Sequence, residues 1–182
     1  RIRRSLLLLA SREAAELHPN RGAYVASPTA KQAREVFEAR ITLEPTIARL
    51  AVERATDADI ATLSAHLQME HDAHHDESRH EAIRLSGDFH ILLAQIASNG
   101  VMLRMIKELV TRTSLIIGIF GAPSVTNCRD DDHELMLSAF KARDGKAAAS
   151  LMETHLRVIE DSLNLDNKKR GAVDLVSLFS KT

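Results

Sequence analysis

The sequence predicts a mainly all-α protein: an antiparallel bundle of about six helices, preceded by a short helix and a β-hairpin. Three observations carry this. The 182 residues are dominated by good helix formers, with only 3% aromatic residues, no Trp and one Tyr, whereas strands draw on aromatic and β-branched side chains. From residue 30 onward apolar residues recur every three to four positions between capping signals. Only one stretch reads as a hairpin, residues 15–26, where the turn Pro19-Asn20-Arg21-Gly22 separates two short segments.

In order, residues 1–11 read as the end of a helix with Ile2, Leu6 and Leu9 on one face, and Ser27-Pro28-Thr29 as a joint. A first long helix covers roughly 31–54, with Val36, Leu43, Ile47 and Leu50 in register and Pro45 expected to kink it. Thr56-Asp57-Ala58-Asp59 caps a second helix carrying Ile60, Leu63 and Leu67, and the polar run from Glu70 to Glu81 reads as its frayed end and a loop. A third helix, about 82–98, is expected to stop at the cap signal Asn99-Gly100, and a fourth, about 101–117, at Gly118. A fifth begins near Arg129 and stops at Asp144-Gly145, and a sixth covers 146–163. Residues 164–170 are polar and basic, and the remainder is a short helix or a tail. Short turns between helices imply an antiparallel bundle.

Composition excludes several classes. Seven Gly and four Pro exclude collagen-like and low-complexity chains. A single Cys, Cys128, excludes an internal disulfide framework and fits a reducing compartment. No run approaches the ~20 apolar residues of a membrane span, so no membrane partner is expected. No nucleophile elbow, P-loop or dinucleotide fingerprint is present. The net charge of −1 is unevenly spread: residues 1–28 carry five basic and two acidic residues, a net of +3, and the rest a net of −4. A basic end on an acidic body suggests that only the N-terminal part meets a polyanion. The chain lacks an initiator Met and opens on a basic helix, from which a longer protein extending upstream is expected.

The informative residues are those that interrupt apolar stripes. His90 shares its helix side with Ile83, Leu93, Ala94 and Ala97; His133 with Met136, Leu137 and Phe140; His155 with Ala148, Leu151, Met152 and Ile159. Three helices each aim one histidine inward. A buried imidazole without partners is costly, and one divalent ion such as zinc or nickel satisfies several together; three separately hydrogen-bonded core histidines are the other reading of the same pattern. Arg40, in register with Val36, Leu43 and Ile47, needs an anion, either Glu44 one turn on or a bound ligand. Arg112, in register with Met105, Leu109 and Ile116, is more simply a structural partner of a carboxylate. His71, His74, His75 and His80 stand in a segment that is polar all round and read as a solvated helix end; Asp130-Asp131-Asp132 reads as an acidic helix start matched to the helix dipole. Cys128 has no second Cys nearby and needs no special role.

The order of these residues resembles a known family. Glu38-Ala39-Arg40-Ile41-Thr42-Leu43-Glu44, Phe89-His90, Asn99, His133 with Leu137 and Ala139, and Met152-x-x-His155-Leu156 resemble the effector domain, called FCD, of FadR-type GntR transcriptional regulators, over about residues 32–163. Upstream, Ile2-Arg3-Arg4-Ser5-Leu6 resembles the recognition helix, and His18-Pro19-Asn20-Arg21-Gly22-Ala23-Tyr24-Val25 the wing, of a winged helix-turn-helix domain.

The resemblance implies two domains, with 1–28 the C-terminal part of the winged helix-turn-helix and 29–182 an FCD-like effector-binding and dimerisation domain. It implies a cytoplasmic bacterial homodimer that binds palindromic operator DNA and responds to a small organic acid, as a repressor. It implies a divalent metal held by His90, His133 and His155. The family's aspartate, one turn before the first histidine, is Ser86 here, leaving that position to water or effector. Arg40, Ser86 and Arg112 are the expected effector-binding residues. Arg3 would reach the major groove and Asn20, Arg21 and Gly22 the backbone or minor groove; Arg4 departs from the usual acidic residue there. Two rivals remain from the residues alone: a metal-dependent hydrolase using three histidines and open positions to activate water, and a helical dimerisation module whose histidines are only hydrogen-bonded.

Overall fold

A computed structural model describes residues 15–18, 22–76, 78–122 and 131–165, with the two short strands described by their backbone. Strands β1 (Ala15–His18) and β2 (Gly22–Val25) pair antiparallel, with Ala15 opposite Val25 and His18 opposite Gly22, as the hairpin signal predicts. Six helices follow: α1 (Ala30–Arg54), α2 (Asp57–His75), α3 (Arg79–Ile96), α4 (Gly100–Phe120), α5 (Asp132–Lys141) and α6 (Gly145–Ser162). Residues 1–11, Arg3, Asn20, Arg21, Cys128, Arg129 and the segment after Leu165 lie outside the described residues; Gly22 opens β2.

The joint Ser27-Pro28-Thr29 ends in a helix start. Thr29 accepts from the Gln32 backbone N–H at 3.2 Å, and the Gln32 side chain accepts from the Thr29 N–H at 2.8 Å. This reciprocal cap satisfies two of the donors a helix N-terminus leaves open. Thr56 and Asp59 repeat the device at α2. Helix α1 continues unbroken through Pro45 and packs along α6, α4 and α3. Helix α3 is central: it contacts α1, α2 and α4, while α5 leans on α6 and α2. The main core gathers Ile47, Leu63, Phe89, Leu93, Ile106, Met136, Phe140, Met152 and Leu156 from all six helices; a second cluster joins Phe37, Ile116 and Ile159. No helix among the described residues is long and apolar enough to cross a membrane.

Four boundaries differ from the sequence expectation. Asn99-Gly100 is not the C-cap of α3 but the start of α4: Asn99 Oδ1 accepts from the N–H groups of Val101 and Met102 at 3.1 and 3.2 Å. The left-handed residue between the helices is Ser98, at φ 50°. Gly118 does not end α4, which runs to Phe120, since burial of Ile116 and Ile117 outweighs the ~1 kcal/mol a helical glycine costs. Asp144-Gly145 likewise opens α6 rather than closing α5, with Asp144 accepting from the Ala147 N–H at 2.9 Å and Arg143 in the left-handed turn at φ 56°. Helix α2 does not fray at Glu70; it continues to His75, and His66 and Glu70 are buried.

Candidate metal and effector site

His90 on α3, His133 on α5 and His155 on α6 are 2%, 2% and 1% exposed. One ring nitrogen from each can be chosen so that all three lie within 4.8 Å of one another. The inward stripes of three separate helices therefore converge. His133 Nε2 and His155 Nε2 stand 3.2 Å apart, with ring centroids 4.7 Å apart and tilted at 56°. His90 lies 5.5 Å from His133 and 5.4 Å from His155 by ring centroid.

Each imidazole meets a carboxylate on its other side. His133 Nδ1 is 2.7 Å from Glu70 Oε2, His155 Nδ1 is 3.0 Å from Asp132 Oδ2, and His90 Nδ1 is 2.6 Å from Glu44 Oε2. For His133 and His155, where the contact is a hydrogen bond, the carboxylate fixes the ring proton on Nδ1 and leaves a lone pair on Nε2. This aims two lone pairs at the same small volume. The contact is repulsive unless a proton or a cation lies between or beside them. A tetrahedral ion with Zn–N bonds of ~2.0–2.1 Å sets its ligand nitrogens about 3.3 Å apart, matching the observed 3.2 Å. The donor set fits a borderline divalent ion.

Electrostatics agree. Burial drives the His90 pKa down to about 3, with Glu44 opposing and Arg40 adding to the fall, so the ring is neutral and ready to ligate at neutral pH. Burial pushes Glu44 upward, but the Arg40 guanidinium and His90 outweigh it and hold the carboxyl well below its ordinary range. Glu70 behaves alike: its burial is outweighed by His133 and His66, and its pKa falls to about 2.

Beside the histidines lies a cavity lined by Arg40, His74, Ser86, His90, Thr113 and Ser114 together with apolar residues of α3, α4 and α6. Its volume is about 20 Å³, room for one or two waters. Arg40 is 2% exposed; its Nε donates to Glu44 Oε1, while its Nη2 is buried with no hydrogen-bond partner. An unmatched, buried guanidinium N–H beside a cavity is a strong invitation to an anion. Gly87 lets α3 and α4 approach here, since a Cβ would stand 2.7 Å from Val110 Cγ1.

Of the expected effector residues, Arg40 and Ser86 reach this cavity. Arg112 does not: it is partly exposed on α4 and pairs with Glu108 at 2.8 Å. Four residues read otherwise from sequence belong to the site. Glu70 and His66 extend the α2 stripe Leu63-Leu67 to positions 66, 70 and 73, a periodicity that the surrounding charges conceal. Asp132, expected only to match a helix dipole, holds His155. His74, expected in a solvated helix end, lines the cavity.

Comparison with known proteins now adds to this geometry. Residues 35–158 match the FCD domain model. The chain belongs to the FCD-domain regulators of the GntR family. It is 27% identical over 165 residues to the HTH-type transcriptional repressor RspR of Escherichia coli K12, covering 89% of this chain and 72% of that protein. Among solved structures, a GntR transcriptional regulator from Rhodococcus sp. RHA1 superposes with a TM-score of 0.75 at 18% identity, covering 93% of this chain and 80% of the other. E. coli McbR/YncC gives 0.73 at 22% identity, covering 87% and 83%. The protein is accordingly a transcriptional regulator with an effector-binding helical domain, and its all-α bundle is the FCD fold.

Proposed function

We propose that the protein is a metabolite-responsive repressor, in which His90, His133 and His155 hold one divalent ion, zinc or nickel, and Arg40 secures a small organic acid beside it. The observation that carries this reading is the convergence of the His133 and His155 Nε2 atoms at 3.2 Å, each ring backed by a carboxylate on Nδ1. Three neutral imidazoles leave the ion its full positive charge, which supplies Lewis-acid attraction for an anionic ligand. Arg40 Nη2, buried and without a partner, adds a charge-assisted hydrogen bond to the same anion. The Ser86 hydroxyl, one helical turn before His90, offers a hydroxyl rather than a carboxylate at the cavity wall, which favours a negatively charged ligand over a competing protein anion.

Residues 1–28 are assigned to the C-terminal part of a winged helix-turn-helix domain, with Arg3, Asn20, Arg21 and Gly22 as DNA contacts and 29–182 as the effector-binding and dimerisation part. Helix α1 carries Arg40 and Glu44 and is separated from β2 by only four residues, so a shift of α1 on ligand binding would be felt by the DNA-binding end. In a cytoplasmic homodimer on a palindromic operator, such a shift changes the spacing of two reading heads. Native mass spectrometry of the purified chain tests this together with a thermal-shift panel of small acids. The expected result is one divalent ion per chain, a dimer, and an acid-induced rise in melting temperature that disappears on chelation and in Arg40→Met. Absence of any bound metal, with no loss of stability on chelation, would overturn the metal reading.

A further inference from the structure

We propose that Glu70 is the positioning residue for the ligand His133, so that helix α2 sets the affinity of a metal centre to which it supplies no ligand. The proposal rests on the reading that His90, His133 and His155 hold a divalent ion. Glu70 is 6% exposed and its side chain meets two imidazoles, with Oε2 at 2.7 Å from His133 Nδ1 and Oε1 at 3.1 Å from His66 Nε2. A buried carboxylate is costly unless both oxygens are matched by donors. Here Oε2 is matched by His133 Nδ1, while Oε1 has the His66 ring beside it but no hydrogen-bond partner. His66 Nε2 lies 2.9 Å from the Leu85 carbonyl oxygen, which takes its hydrogen and fixes the ring beside Glu70. Glu70 in turn accepts from His133 Nδ1, which keeps the His133 lone pair on Nε2, the nitrogen turned toward His155.

The ring plane is fixed as well. Phe89 lies over His133 with centroids 4.0 Å apart and planes within 19°, and His66 stands 6.4 Å from Phe89 with planes at 27°. The Glu70–His133 hydrogen bond and the Phe89 stack therefore tie α2, α3 and α5 to one orientation of one ring. The other two histidines are held differently. Glu44 divides itself between His90 and Arg40, and Asp132 is 20% exposed. Glu70 lies between two imidazoles, those of His133 and His66. Carboxylates behind metal-bound histidines typically account for 10- to 100-fold in metal affinity, by fixing the tautomer and raising basicity.

The test uses Glu70→Leu and Glu70→Gln in the whole chain, with zinc as the probe. Zinc Kd is measured by competition with a chromophoric chelator, and the His133 tautomer by long-range ¹H–¹⁵N correlation on the chelated protein. Wild type should show His133 with hydrogen on Nδ1. Glu70→Leu should lose that preference and bind zinc 10- to 100-fold more weakly, with Glu70→Gln, which keeps one acceptor, in between. A Glu70 that served stability alone would change the melting temperature of the chelated protein and leave tautomer and Kd as they were; that result overturns the proposal. Should Glu70→Leu not fold, Glu70→Gln decides by the same two readouts. If wild type itself takes up no zinc, the metal reading fails, while the tautomer in the metal-free chain still decides whether Glu70 positions His133.

Discussion

Replacing Arg40 by Met removes the cation from a buried ion pair and leaves Glu44 in the core. Both side chains are about 2–3% exposed, so water cannot take over. Removing one partner of such a pair typically costs 3–5 kcal/mol. Two features pull the value to the lower end. Glu44 keeps His90 Nδ1 at 2.6 Å, and Arg40 already carries an unmatched Nη2. The expected loss is about 3 kcal/mol, or ~10 °C in melting temperature for a domain of this size. Urea unfolding in the presence of a chelator at pH 8 measures it without interference from metal. The loss should shrink as pH falls, because Arg40, after burial, is one of the groups depressing the His90 pKa, and without it the ring takes a proton more readily as the counterion of Glu44. The double variant Arg40→Met/Glu44→Leu should recover part of the loss, since an apolar pair of similar volume is close to neutral. A cost below ~1 kcal/mol for Arg40→Met, or a double variant no more stable than the single one, would refute the view of Glu44 as a carboxylate held by two cationic or polar neighbours.

Two further outcomes follow from the packing and the pKa shifts. Gly87→Ala should destabilise by about 1 kcal/mol: its Cβ would meet Val110 Cγ1 at 2.7 Å, an overpacking cost of ~1–3 kcal/mol set against ~1 kcal/mol of helix propensity gained. Val110→Ala should relieve it, and a Gly87→Ala protein more stable than wild type in urea would contradict the close approach. The chelated protein should lose stability as pH falls below about 6.5. His90 binds its proton in the unfolded chain near 6.5 but in the folded one only near 3, and Glu70 near 4.5 unfolded but about 2 folded. The unfolded state therefore holds more protons, and each such group gives a slope approaching 1.4 kcal/mol per pH unit. His66, whose pKa is raised because Glu70 and the Leu85 carbonyl outweigh its burial, works the other way and only above 6.5. Stability that stays flat from pH 7 to 4 in chelator would contradict this assignment.

What the sequence made legible follows from what is local. Helix number and approximate limits come from apolar periodicity and caps, and the hairpin from its turn residues. Inward histidines are legible for the same reason, because His90, His133 and His155 interrupt apolar stripes. Their convergence is not, since it depends on how α3, α5 and α6 pack across 65 residues of chain. The supporting carboxylates are the instructive failures. Glu70 and Asp132 are the residue types expected on a solvated helix or at a helix start, and only the third dimension shows each one facing an imidazole. Asn99 shows a different ambiguity: the same residue suits a helix end or a helix start, and the choice fell to which backbone donors its side chain could reach.

The central claim is that three imidazoles from three helices share one ion. X-ray absorption spectroscopy of the zinc-loaded chain tests it most directly. The account predicts one zinc per chain with three imidazole nitrogens at ~2.0–2.1 Å and oxygen completing the shell, and loss of stoichiometric binding in His133→Ala. A zinc site without imidazole scattering, or full occupancy retained in His133→Ala, would contradict it.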